Sequence, residues 1–258
     1  MYYKYRSVNP YAVSMIEKGE IYFPTPNELN DPLDSSFIIS ETLSALEREA
    51  GGAQKEIVEQ LLKMQLDDKV LGRKGNIEEL IGQRLSQAGV FSMSLDSCEP
   101  LMWAHYGNEH KGVCIGIDEK ELEKVIDRED PKQGFVGDIN VIYREAPNFD
   151  QLLNLYCKRV QNGKDVNPLH LLIDLIMNAL RLKSEHWNYE QEVRLVRLTN
   201  GTLSLPISCI QEVIFGQRIS PDDRESILNA IAKSRSSSIK VGDSFHKPNS
   251  FKMDVKWV

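Results

Sequence analysis

Apolar and polar positions change period several times along the chain, and the changes mark out its elements. Tyr2 to Arg6 reads as a short strand. Pro10 can open a helix reaching about Lys18, because proline at the first helical position presets φ and gives up no bond. Gly19 ends that helix, and Glu20 to Phe23 reads as a second strand. Asn30-Asp31-Pro32 is turn chemistry, since Asn and Asp bond nearby backbone and Pro fixes φ. From Glu41 to Ala88 the sequence is charged and helical in period, with breaks at Gly51-Gly52 and near Gly72 to Gly75. This predicts a lobe of two or three helices.

Val90 to Leu95 then reads as a strand, followed by a Ser97 cap and a short helix starting near Pro100. Val113, Ile115 and Ile117 alternate within a strand from Gly112 to Asp118. A helix from Glu119 to Asp127 and a strand from Val136 to Tyr143 follow, then helices over roughly 149–160 and 168–182. Strands return at Glu190 to Leu198, Leu203 to Pro206 and Glu212 to Phe215. Ser220-Pro221-Asp222 caps a helix to about Lys233, and Phe251 to Trp257 alternates as a last strand. Strands and helices mix without a regular βαβ rhythm, which predicts an α+β fold. Its core is a largely antiparallel mixed sheet with an inserted helical lobe. The reading is one α+β domain over 1–258, with helical insertions at about 41–88 and 148–186.

Composition narrows the function classes. Of 258 residues, 41% are hydrophobic and 27% charged, ordinary values for a globular domain. The net charge of −7 argues against broad coating of nucleic acid, which needs a basic face. No apolar run approaches the roughly 20 residues that cross a bilayer, and the first residues lack a signal peptide's apolar stretch. Cys98, Cys114, Cys157 and Cys209 are widely spaced, so neither a zinc site nor a disulfide framework is supported. The expectation is a cytoplasmic protein with reduced thiols and no membrane partner.

Three segments can carry chemistry. On a strand, Glu190, Glu192 and Arg194 share one face, with the carboxylates about 6–7 Å apart. Such a pair can hold a sugar hydroxyl, stabilise a cationic sugar transition state or bind a metal; it can also be a solvated strand face. In Val90-Phe-Ser-Met-Ser-Leu95, Ser92 and Ser94 share the face opposite Phe91 and Met93, where two hydroxyls can orient a carboxylate or contact a ligand. In Leu101-Met-Trp-Ala-His-Tyr-Gly107, Trp103 and Tyr106 can stack on a planar base and His105 can hydrogen-bond a ligand. An aromatic core helix explains the same residues. His110, His170, His186 and His246 have no ligand-like spacing and read as structural. At the amino-terminal end, Tyr5 and Arg6 lie on the first strand, where Arg is a natural phosphate fork.

Together these segments resemble the bacterial family catalogued as domain of unknown function 2971. The resemblance rests on Tyr3-Lys-Tyr-Arg-Ser7, Gly19-Glu-Ile-Tyr-Phe23, Leu29-Asn-Asp-Pro-Leu33, Phe91-Ser92, Met102-Trp-Ala-His-Tyr106, Gly112-Val-Cys-Ile-Gly116 and Trp187-x-Tyr-Glu-x-Glu-x-Arg194. It runs from residue 2 to about 216. More distantly, Arg6, Phe91-Ser-Met-Ser94 and Glu190-Gln-Glu192 follow the order of ADP-ribosyltransferases of the arginine–serine–glutamate type. That likeness implies NAD as substrate, with Arg6 on its phosphates and Ser92 and Ser94 bracing the nicotinamide side. Glu192 would bond the nicotinamide ribose and stabilise an oxocarbenium-like state, and Glu190 would activate an acceptor. All of these are expected on one cleft. Met93 stands where the family has Thr, and the gap from Ser94 to Glu190 is longer than usual, as an inserted lobe would make it.

The activity implied is an NAD-consuming transferase or glycohydrolase, a toxin or antiviral defence effector acting on protein or nucleic acid. Two alternatives use the same residues. A non-catalytic ligand-sensing or interaction module would line its pocket with Trp103, His105, Tyr106 and Glu192. A metal-dependent nuclease would use Asp31, Asp34, Glu190 and Glu192, but the strand lysine of the PD-(D/E)xK kind is absent. Asn30, Asp31 and Arg194 complete the candidate residues, and no metal set is expected.

Overall fold

The structure is a computed structural model that describes residues 1–31, 34, 55, 65–68, 73–128, 134–145, 158–159, 162, 168–234 and 239–258. In chain order its first elements are β1 (Tyr2–Arg6), α1 (Pro10–Lys18), β2 (Glu20–Phe23), β3 (Gln65–Asp68), β4 (Arg73–Asn76), α2 (Ile77–Gln87) and β5 (Gly89–Ser94). There follow α3 (Pro100–His105), β6 (Val113–Ile117), α4 (Glu119–Arg128), β7 (Phe135–Asn140), β8 (Ile142–Arg144), α5 (Pro168–Arg181) and β9 (Leu182–Ser184). The last are β10 (Glu192–Arg197), β11 (Gly201–Ser204), β12 (Ile210–Phe215), α6 (Pro221–Lys233), β13 (Lys240–His246) and β14 (Met253–Trp257). The class is α+β, built on a large mixed sheet whose neighbours are mostly antiparallel. The chain divides into two compact units, one of 1–23, 89–140 and 187–258, the other of 24–88 and 141–186.

The first unit holds an 8-stranded sheet in the order β14-β13-β12-β6-β1-β5-β10-β7. Only β12 and β13, joined through α6, run parallel. Both faces are covered. On one, Tyr2, Phe91, Met93, Val113, Ile115, Val193, Leu195, Val213 and Phe215 pack with Ala12, Met15 and Ile16 of α1 and Ile227 and Ala230 of α6. On the other, Tyr5, Cys114, Ile214 and Met253 pack with Met102 and Trp103 of α3. Every residue of β6 and β10 is buried as a result.

Local chemistry explains the frame. Asn9 caps α1 by accepting from the Ala12 N–H, and Pro10 occupies the first turn. Gly19 ends the helix at φ 72°, its N–H donating to the Met15 carbonyl. A Cβ there would stand 2.1 Å from the Leu205 carbonyl oxygen, because β2 pairs with β11 immediately beyond. Ser220 caps α6 through the Asp223 N–H, with Pro221 again in the first turn.

Several expected boundaries move. Within the expected helical lobe, β3 and β4 pair antiparallel from Gln65↔Asn76 to Asp68↔Arg73, and this pairing overrides a poor strand propensity. The strand expected from Val136 to Tyr143 is divided at Val141 into β7 and β8, which join different sheets. Ser97 does not cap α3; the Glu99 side chain does, accepting from the Leu101 N–H. Of the helix expected over 149–160, residues 158 and 159 are described and are helical; the rest of it, with Cys157, lies outside the described residues. Within the second unit, β8 and β9 pair in parallel, and a buried ion pair joins Lys183 to Asp34 at 3.6 Å. Among the described residues no helix is long and apolar enough to cross a membrane.

Candidate functional site

The three segments singled out in the sequence become neighbouring strands, β1, β5 and β10. Strand β10 pairs with β5 from Glu192↔Ser94 to Arg197↔Gly89. Strand β1 pairs with β6 along its whole length, yet meets β5 at the single register pair Tyr3↔Ser94. The Leu95 N–H donates to Gln191 O, so alternation turns the backbone groups of Ser92 and Ser94 toward β1. With no β1 backbone opposite it, the Ser92 carbonyl accepts from the Lys4 ammonium at 2.6 Å. The sheet therefore has a seam between β1 and β5, beside the residues with candidate chemistry.

Cross-strand register sets the contents of one face. Glu192, Ser94, Tyr3 and Gly116 stand in a row across four strands, and Glu212 of β12 follows them. The Tyr3 hydroxyl reaches Glu212 Oε2 at 3.3 Å, and burial beside that carboxylate pushes its pKa up to about 12. Next to the row, Arg194 stands opposite Ser92. Arg194 is fully buried and donates twice to Glu192, Nε to Oε1 at 2.8 Å and Nη2 to Oε2 at 3.0 Å. This bidentate geometry holds the carboxylate in place.

Glu190 does not share a strand with Glu192. It closes a short 3₁₀ turn, Glu185–Glu190, and Gln191 takes φ 43° before β10 begins. The expected same-face pair at strand spacing is thereby corrected: a left-handed residue breaks the extension between the two acids. Glu190 is still buried, and the Tyr106 hydroxyl donates to its Oε1 at 2.5 Å. Both acids thus belong to the same stretch of chain but are held by different partners.

The aromatic residues divide by depth. Trp103 is fully buried, donates from Nε1 to the Ser97 carbonyl at 3.0 Å, and packs between Tyr5 and His110. Tyr5 is buried too, its hydroxyl donating to Asp96 O at 2.8 Å. Trp103 and Tyr5 therefore support the site as core, and neither offers a ring face to a ligand. His105 is exposed, with the Tyr189 ring 6.0 Å away and Trp187 a further 6.0 Å beyond Tyr189. Trp187 and Tyr189 stood inside the quoted Trp-x-Tyr-Glu motif, but their meeting with His105 depends on the fold. Ser94 spends its hydroxyl on the turn that follows, donating to Asp96 O and accepting from the Asp96 N–H. The half-buried Ser92 hydroxyl makes no hydrogen bond among the described residues.

Arg6 does not join the others on their face. It stands opposite Val113 in the register, and Val113 belongs to the core beneath α1 and α6. Glu192, Ser94 and Tyr3 alternate onto the other side. Ser92, Ser94 and Glu192 thus share one face of the sheet, and Arg6 falls on the other. Among the described residues the buried Arg6 Nε has no hydrogen-bond partner, and burial pushes its pKa down. Asn30 and Asp31 belong to the second unit, where Asp31 is buried and its carbonyl accepts from the Asp34 N–H at 2.9 Å. Among the described residues no group of three or more His, Cys, Asp or Glu side chains is placed to hold a metal ion.

Residues 102–195 match the model of a family described as "Protein of unknown function (DUF2971)". The matched segment begins in α3 and ends in β10, so it contains Trp103, His105, Tyr106, Glu190, Glu192 and Arg194. No curated protein and no solved structure matches the chain.

Proposed function

We propose that the chain cleaves NAD at the nicotinamide–ribose bond, as an ADP-ribosyltransferase-like enzyme or NAD glycohydrolase. The observation that carries this reading is the register Glu192↔Ser94, on strands adjacent to the β1–β5 seam. It sets a buried, Arg194-oriented carboxylate beside a serine strand, next to the first strand of the chain. Glu192 accepts from a ribose hydroxyl and stabilises the oxocarbenium-like cation as the C–N bond breaks and nicotinamide leaves. Water or an acceptor hydroxyl then bonds to C1 of the ribose and loses its proton, with Glu190 the nearby base and Tyr106 setting its orientation. His105, Tyr106 and Tyr189 supply the accessible ring surface for a planar base. Arg6 cannot hold the phosphates from the Glu192 face and contributes only if the dinucleotide reaches through the seam.

Incubation with NAD, followed by chromatography for nicotinamide, tests the reading. The wild type releases nicotinamide, and Glu192→Gln lowers release by at least about 100-fold while circular dichroism stays unchanged. Absence of release by the wild type, with water or with protein and nucleic-acid acceptors, ends the reading.

A second reading is favoured by the placement of Arg6 and by the commitment of both acids to protein partners. In it the same face binds a nucleotide-like ligand without turnover. NAD that binds and is recovered intact identifies this case.

A further inference from the structure

Strand β14 closes one side of the 8-stranded sheet, and among the described residues it pairs with β13 alone. An edge strand offers unpaired N–H and C=O groups to any strand of matching register. Which groups face outward follows from the bonds on the inner side. The Val258 N–H donates to Val241 O and the Lys247 N–H to Lys252 O. With Asp243↔Lys256 and Phe245↔Asp254 in register, the backbone groups of Asp254 and Lys256 point inward. Those of Met253, Val255 and Trp257 point to the free edge. The Val255 N–H shows the need this creates, since it donates to the Asp254 side chain at 2.9 Å.

We propose that β14 pairs antiparallel with β14 of a second copy of this chain, about a two-fold axis at Val255. In Met253-Asp-Val-Lys-Trp257 this register matches every position. Val255 faces its own copy, and Met253 faces Trp257 of the second chain. Asp254 faces Lys256 of the second chain, and the two-fold repeats that contact in reverse, as an isologous interface must. The outward-facing Met253, Val255 and Trp257 form the hydrogen-bonded pairs. Asp254 and Lys256 then fall at non-hydrogen-bonded pairs, where opposed side chains stand closest. Centring the pair on Asp254 or on Lys256 would set like charges opposite each other.

Both charges are available for the exchange. Lys256 is exposed and has no ion-pair partner among the described residues. Asp254 is held by Lys247 at 2.9 Å, but both side chains are nearly half exposed, so that bond is easily traded. Trp257, 45% exposed, would lie at the interface, opposite Met253 of the second copy in the register. Lysine at an edge ordinarily blocks pairing with other strands. Here it rejects strangers while accepting a copy that brings its own Asp254.

Sedimentation velocity over a wide concentration range tests the proposal, with circular dichroism confirming that each variant folds. The wild type is expected to dimerise. Asp254→Lys and Lys256→Asp each convert two attractive pairs to repulsive ones and should raise the dimer dissociation constant about ten-fold or more. Mixed one to one, the two variants restore both opposite-charge pairs and should form a heterodimer. A wild type that stays monomeric throughout overturns the proposal. So does a dimer that survives both substitutions, or a pair of variants that fails to associate on mixing.

Discussion

At the scale of single residues, the decisive interaction is the buried pair of Glu192 and Arg194. Both side chains are almost wholly excluded from water, and the guanidinium meets the carboxylate with two bonds. Removing one partner takes both of these bonds from a buried charge, so Arg194→Met should lower unfolding stability by about 3 kcal/mol in urea titration. The double variant Glu192→Gln with Arg194→Met should recover part of that loss, because no uncompensated charge remains. His110 gives a pH dependence. Burial, with His246 and Arg218 nearby, holds its pKa below the ordinary histidine value. The unfolded chain therefore takes up that proton first as pH falls. The stability contributed by neutral His110 is complete above the unfolded pKa and is lost as pH falls toward the folded one. Melting curves for His110→Gln should accordingly show a shallower decline between about pH 7 and pH 5 than the wild type. The types of these residues were plain in the sequence. Their partners were not, since the Tyr106–Glu190 bond joins positions 84 residues apart.

At the scale of elements, helix ends were the most legible feature. Asn9-Pro10, Gly19 and Ser220-Pro221 act through bonds to residues a few positions away, so the sequence signal and the structural cause coincide. Gly19 carries the sharpest consequence. Gly19→Ala must adopt φ 72° and place a methyl against the Leu205 carbonyl, and should cost at least about 1 kcal/mol by thermal unfolding. Legibility failed where a neighbour decided the conformation. Gln191 takes its left-handed turn where its carbonyl bonds the Leu95 N–H of the adjoining strand, and no property of Glu190-Gln-Glu192 announces that break. Strands β3 and β4 likewise exist through their pairing, in a stretch whose composition reads as helical.

At the scale of the whole molecule, strand order turns separate motifs into a candidate site. Residues from the start of the chain, from near position 92 and from near position 192 become adjacent only because β5 lies between β1 and β10. The same arrangement leaves a seam on one side of β5 and closes the other, and it ends the sheet at β14. The dimerisation proposed for that edge belongs to this scale, because it depends on which strand is outermost. The proposed nicotinamide release also belongs here, since that reading calls on Glu192, Ser94 and the accessible rings together.

By itself the sequence determined what short-range physics controls: the strand and helix periods, the caps, the α+β class, and the residue types able to do chemistry. Tertiary structure alone decided the strand order, the register that sets Glu192 against Ser94, and the face on which Arg6 falls. The reason is that side-chain alternation is local while its phase is not. A strand tells which residues stand together, but only its neighbours tell which way they look.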